Sequence, residues 1–180
     1  MKTRLELIQA VKLYRSTFEE ELLFKKLFID LLNNPRAYHR DHLPGHITGS
    51  AFIVDSSRKY VLLTHHAKLN KWLQPGGHAD GDENVINVAL READEETGLK
   101  NLRLITEEIF DLDVHAIPAR KDFPQHDHYD VRILLEGSRE EQLIITEESK
   151  DLAWVSIDEA VALSGNNHSI ARMVEKVKLM

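Results

Sequence analysis

A chain of 180 residues with a formal net charge of -7 and no cysteine is long enough to bury one sizeable core without covalent staples. The missing cysteines exclude a disulfide framework, a thiolate zinc site and a cysteine nucleophile. Acidic residues outnumber basic ones with no long run of either sign, which argues against a broad grip on a nucleic-acid backbone but leaves room for a small anionic substrate held by local cations and metal ions.

Met1 to Ala10 alternates charged and apolar residues and no apolar run reaches membrane-spanning length, so a cytoplasmic protein with no membrane partner is expected. Helical spacing runs from Leu5 to Tyr14 and more clearly from Phe18 to Leu32, where Phe24, Leu27, Phe28, Leu31 and Leu32 follow i, i+3, i+4, i+7, i+8. Ser16 with Glu19 has the form of a capping box, and Asn33-Asn34-Pro35 is a stop signal. These helices read as an N-terminal extension over residues 1–43, packed on a main domain of residues 44–180; the alternative is a dimer-forming arm.

The main domain opens near His46 with strands at Ile47–Val54 and Tyr60–Thr64 around the polar turn Asp55-Ser56-Ser57-Arg58. A glycine loop at Gly76-Gly77 and a helix from Asn84 to Thr97 come next. Further strands are expected near Leu102–Ile117, His128–Leu135 and Leu152–Val155. Ser156, with Glu159 at capping-box distance, leads into C-terminal helices. Interleaved strands and helices favour an α/β architecture with a mixed sheet between helices.

The informative stretch is GGHADGDENVINVALREADEETGL, Gly76 to Leu99, in which a glycine loop feeds a carboxylate-rich helix. Gly98 suits a C-terminal cap with positive φ. Glu92, Glu95 and Glu96, at i, i+3 and i+4, project from one helical face within a few Å of each other. Crowded carboxylates repel unless cations sit among them, and hard oxygen ligands select Mg2+ or Mn2+. Arg91 is placed to steady a carboxylate or neutralise charge. The bland alternative for the three glutamates alone is a solvated acidic face.

Together, loop and helix are similar to the signature of the Nudix hydrolase superfamily, G-x5-E-x7-R-E-U-x-E-E-x-G-U with U apolar. Gly77, Glu83, Arg91, Glu92, Ala93, Glu95, Glu96, Gly98 and Leu99 fill every specified position. Ordinary residue frequencies would produce this match roughly once in ten million chains of this size, so chance is not a serious competitor. The resemblance implies an α/β/α sandwich that hydrolyses a diphosphate linkage in a small, nucleoside-diphosphate-linked substrate. Its implied metal ligands are Glu92, Glu95, Glu96 and the Gly76 carbonyl, binding Mg2+ or Mn2+. Glu83 and Arg91 would orient the loop against the helix, and Glu92 and Glu95 carry catalytic roles. A homodimer is compatible with the superfamily, and an extended nucleic-acid partner is not expected.

The general base in this superfamily comes from the signature helix or a later loop; Glu148 is the first later-loop candidate and Glu147 the next, against the alternative of a solvated glutamate. Histidine occurs ten times. His78 follows Gly77, and alternation puts Asp111, Asp113 and His115 on one strand face and His126, His128 and Asp130 on another, so pairing of those strands would build one polar cluster. Arg91, His78, His126, His128 and Arg120 are the candidate substrate contacts; the competing readings are a solvent-facing hairpin side and, for Arg120 and Lys121, ordinary surface charge. An extra metal ligand among the histidines is a further reading. Trp72 stacks a base or fills the core, with core packing favoured.

Three rivals deserve weighing. Isopentenyl-diphosphate isomerase shares the fold, but its proton chemistry uses a cysteine that this chain lacks. A non-catalytic Nudix-like nucleotide-binding or regulatory module would not need all the metal carboxylates. Removal of diphosphate from RNA 5' ends is disfavoured by the acidic charge.

Overall fold

The computed structural model describes residues 1–121 and 123–180. Helix α1 (Arg4–Leu13) is capped by the Thr3 hydroxyl, which accepts from the Glu6 N–H. Helix α2 (Glu19–Leu32) ends at Asn33, as the stop signal predicts, but its start differs from the capping-box expectation. Phe18 is the N-cap, and Ser16 Oγ accepts the Phe18 N–H at 3.0 Å while donating to the buried carboxylate of Glu21. The reason is competition: Glu21 is buried and captures the hydroxyl that a capping box would direct to the helix backbone.

Strand β1 (Gly45–Val54) is buried along its length and organises the sheet. It pairs antiparallel with β2 (Tyr60–His66) through the predicted hairpin, where Asp55 Oδ1 accepts the N–H groups of Lys59 and Tyr60 at 3.0 and 3.1 Å. Arg58 takes the left-handed conformation in that turn, φ 57°. Strands β3 (Lys71–Leu73) and β8 (Ser149–Ser156) flank β2. On its other side β1 runs parallel to β7 (His126–Glu136), in register from Gly45↔Asp127 to Val54↔Glu136. Against β7 lie β5 (Arg103–Leu104) and β6 (Asp111–Ile117), both antiparallel.

Alternation along the strands builds two cores. Ile47, Ala51 and Ile53 of β1, Leu62 of β2 and Val131, Ile133 and Leu135 of β7 share one core with Leu7 and Val11 of α1, Phe28 and Leu32 of α2, and Val85, Val88 and Ala89 of α3 (Val85–Thr97). Phe52, Val54, Val61, Leu63 and Leu134 face the other way, onto Ala160 of α4 (Ala160–Leu163) and Ile170, Met173, Val174 and Val177 of α5 (His168–Lys178). Helices therefore cover both faces of a mixed sheet, the expected α/β/α sandwich.

The start of α4 departs from expectation. Ser156 Oγ donates to Glu159 at 2.7 Å, but Glu159 itself is the N-cap of α4, so the pair is a turn contact and not a capping box. The N-terminal helices contribute apolar side chains to the same core as the sheet. Among the described residues, no helix is long and apolar enough to cross a membrane.

Candidate active site

Gly76 and Gly77, expected in a loop, lie in a short strand, β4 (Gly76–His78), paired antiparallel to β1 at Ser50↔Gly76, Gly49↔Gly77 and Thr48↔His78. From there the chain enters α3, whose N-cap Asn84 accepts from the Asn87 N–H. Gly98 ends the helix at φ 78°, its N–H returning to the Asp94 carbonyl at 2.8 Å, as predicted for a left-handed C-terminal cap. The apolar side of α3 packs on the sheet, and this turns Glu92 and Glu96 inward, to 9% and 6% exposure.

Both buried carboxylates touch β4. A Cβ on Gly77 would come within 2.5 Å of the Glu92 carboxyl carbon, so only glycine permits this approach. Glu96 Oε1 accepts the Gly76 N–H at 2.8 Å. Burial pushes the Glu96 carboxyl up to about 7, with the charges of Glu92 and Glu148 adding to the rise and the Gly76 N–H opposing it. Burial likewise raises Glu92, aided by Glu95 and Glu148 and opposed by Arg91. The site thus holds more negative charge than its own cations neutralise.

Glu95 differs from its neighbours: its side chain is 60% exposed and pairs with Arg91 at 3.2 Å. The three carboxylates do not close into one ligand cluster: Glu92 and Glu95 pair with Arg91, while Glu96 accepts from Gly76. Arg91 also donates to the His78 carbonyl at 2.8 Å, tying helix to strand. The expected Glu83–Arg91 pair is not formed. Glu83 Oε2 accepts the Arg4 N–H of α1 at 2.8 Å, so its charge meets the first turn of another helix, and Arg91 fixes the signature strand directly.

Glu148 sits on the loop entering β8, exposed, with its carbonyl accepting the Ala67 N–H at 2.8 Å. Its charge raises Glu92, Glu96 and His66, which puts it within electrostatic reach of the carboxylate pair. Arg120 forms an isolated bridge with Phe123, and its charge too is felt at His66. Trp72 is half-buried against the second core and stacks on His65 at 5.0 Å, in line with packing.

The β6–β7 pairing that would unite the polar faces is present, with Asp113↔Asp130 and His115↔His128 directly opposed. The union divides into two parts linked by the His115–Asp113 contact, Nδ1 to Oδ2 at 2.9 Å. Asp111, Asp113 and Asp130 are buried around Arg132, and Arg172 of α5 pairs with Asp111 at 2.8 Å and Asp113 at 3.1 Å. Lys176 joins Asp111 to Glu21 of α2, so the aspartates serve an ion-pair network that clamps α2 and α5 to the strands.

The histidines form the other half. His78 and His128 meet with ring centroids 4.9 Å apart, and both lie about the ring of His46, at 5.2 and 5.0 Å. His126 stacks on His46 at 5.0 Å and bonds the Pro124 carbonyl through Nδ1 at 2.9 Å. His46 is legible in the sequence only as the opening of the main domain. Its signal is the parallel register His46↔His128, which no local pattern carries.

A family model described as the NUDIX domain matches residues 45–177. The asymmetrical bis(5'-nucleosyl)-tetraphosphatase of Rattus norvegicus is 30% identical over 118 residues, covering 62% of this chain and 74% of that protein. The m7GpppN-mRNA hydrolase NUDT17 of Xenopus laevis is 44% identical over 57 residues, covering 29% of this chain; the chain spans about a fifth, 19%, of that relative. Among solved structures, a NUDIX-family hydrolase from Clostridium perfringens superposes with a TM-score of 0.55 at 28% identity, covering 74% of this chain and 97% of that one. A C. elegans Ap4A hydrolase binary complex shares the fold, with a TM-score of 0.59 at 17% identity over 74% of this chain and 95% of that one.

Proposed function

The chain belongs to the NUDIX domain family, a Nudix hydrolase on whose carboxylate helix we propose that Mg2+ or Mn2+ supports hydrolysis of a phosphoanhydride in a small nucleoside-diphosphate-linked substrate. The observation that carries this reading is the burial of Glu92 and Glu96 against the glycine strand, with Gly77 leaving room for the Glu92 carboxylate alone. Two buried carboxylates with elevated pKa values, Glu92 paired with Arg91 and Glu96 with the neutral Gly76 N–H, lack the positive charge that would hold both ionised, and a hard divalent cation supplies it.

In this assignment Glu92, Glu96, Glu95 and the Gly76 carbonyl hold the metal. When bound, the metal offsets charge on the phosphoryl oxygens and activates water. Arg91 positions Glu92 and the His78 carbonyl, keeping helix and glycine strand in fixed relation. Glu148, close enough for its charge to act on both buried carboxylates, takes the proton of the attacking water. The new P–O bond forms as the bridging P–O bond breaks, leaving two phosphorylated fragments. Arg120, beside His66, contributes a cation toward the substrate phosphates. Residues 1–43 act as a helical extension to a domain of residues 44–180.

Dinucleoside polyphosphates stand first among substrates, because the tetraphosphatase relative aligns over most of its own length. The test is release of phosphorylated products from a panel of dinucleoside polyphosphates, nucleoside triphosphates and nucleotide sugars, with Mg2+ or Mn2+ and with chelator. Metal-dependent cleavage of one class supports the reading; metal binding with silence across the panel favours a nucleotide-binding module instead. A capped RNA belongs in the panel because of the local match to an mRNA hydrolase, although the acidic charge opposes an extended RNA contact.

A further inference from the structure

We infer that His46, His78 and His128 form a second metal site, a three-histidine centre for Zn2+ or a similar transition ion, separate from the carboxylate helix. One ligand nitrogen from each of the three lies within 4.8 Å of the other two. The ring centroids stand 5.2, 5.0 and 4.9 Å apart, a nearly equilateral triangle. Each histidine comes from a different strand: the second residue of β1, the last of β4 and the third of β7. The sheet fixes all three, since His46 is in register with His128 and His78 with Thr48 on the same β1 strand. Zn–N bonds of about 2.0 Å set tetrahedral nitrogens roughly 3.3 Å apart, so side-chain rotations moving the nitrogens by about 1 Å close the set.

The unpartnered atoms point the same way. Nε2 of both His46 and His128 is buried without a hydrogen-bond partner. A buried polar atom left unpaired is costly and unusual, and here two such atoms belong to neighbouring rings of the triad. On His46 the Nδ1 faces the His42 carbonyl at 3.4 Å, an acceptor, which leaves the lone pair on Nε2. A carbonyl behind a ligating imidazole is the arrangement that orients such ligands.

Chemistry selects the ion. Binding of a phosphate would require imidazolium, whereas three imidazoles with ligand nitrogens within 4.8 Å of one another disfavour shared positive charge and favour the neutral form that ligates metals. Among the described residues no carboxylate joins the triad, and three imidazole nitrogens make Mg2+ and Ca2+ poor occupants and Zn2+, Co2+ or Ni2+ good ones. His126 stacked on His46 and His115 edge-on to His128 pack around the three. Three protein ligands leave a fourth position for water or an anionic group.

Titration of the full chain, stripped with chelator, with Co2+ and then Zn2+ tests this. One equivalent of Co2+ is expected to give the intense visible band of a four-coordinate site, bleached by one equivalent of Zn2+. His128→Ala and His78→Ala, each verified as folded by circular dichroism, should weaken binding about 100-fold or more. His128→Gln and His78→Gln serve if an alanine variant does not fold. The Glu92→Gln/Glu96→Gln double variant should keep the band, so failure here and failure of the hydrolase reading remain distinguishable. No band in the wild-type chain, a band surviving the folded histidine variants, or a band lost in the glutamine double variant overturns the site.

Discussion

Glu96→Gln removes one buried charge while keeping an oxygen for the Gly76 N–H, so its effect on stability isolates the cost of ionising Glu96. In the folded chain this carboxyl is raised from an ordinary 4.5 to about 7, first by burial. Below pH 4.5 it is protonated in both folded and unfolded chains and contributes no difference. Between 4.5 and 7 the unfolded chain releases the proton while the folded one retains it, so wild-type stability falls as pH rises. Above 7 the full penalty is present, and the shift corresponds to ~3 kcal/mol. The variant escapes this penalty. Urea denaturation with chelator should therefore show Glu96→Gln more stable than wild type by ~3 kcal/mol at pH 8, with the gap closing toward pH 4.5. Saturating Mg2+ should reverse the order at pH 8 by stabilising wild type more than the variant. A variant that is less stable than wild type in chelator, by the same amount at both pH values, would refute the reasoning.

Gly77→Ala should lower kcat/KM roughly 100-fold, because the added methyl displaces the Glu92 carboxylate by an ångström or more; steady-state kinetics near wild-type levels would remove the close approach from the mechanism. Glu148→Gln is expected to reduce kcat by about 100-fold with an unchanged metal midpoint, and Glu147→Gln to have little effect; equal losses in both would leave Glu148 without a special role. Leu7→Ala, in the core shared by α1 and the sheet, should cost about 2–5 kcal/mol in a urea titration, whereas a cost near zero would mean that the N-terminal helices only rest on the domain.

The features legible in the residue order are those encoded within a few neighbours. Spacing of three and four marks α1, α2 and α3 and aligns Glu92 with Glu96; alternation marks the strands and assigns Asp113 and His128 to faces; Gly98 announces its own left-handed cap. The complete Gly77–Leu99 signature marks a Nudix hydrolase, and the NUDIX match over residues 45–177 agrees. Local code also misled where a nonlocal partner offered more. Glu21 took the Ser16 hydroxyl from a capping box, and Arg4 took Glu83 from Arg91.

Periodicity says which face a residue occupies but not what that face meets. The parallel pairing of β1 with β7 joins segments some eighty residues apart, and no turn between them specifies its register, yet this pairing brings His46 to His128. The same long-range packing buried Asp111 and Asp113 under Arg132 and Arg172, removing them from a cluster that strand alternation alone had allowed them to join. By itself the sequence determined the fold class and the family, because the signature's helix and glycine strand are written in consecutive residues. Only the tertiary structure decided which polar groups are buried as ion pairs and which converge as histidines, because burial and cross-strand register depend on surfaces contributed by distant parts of the chain.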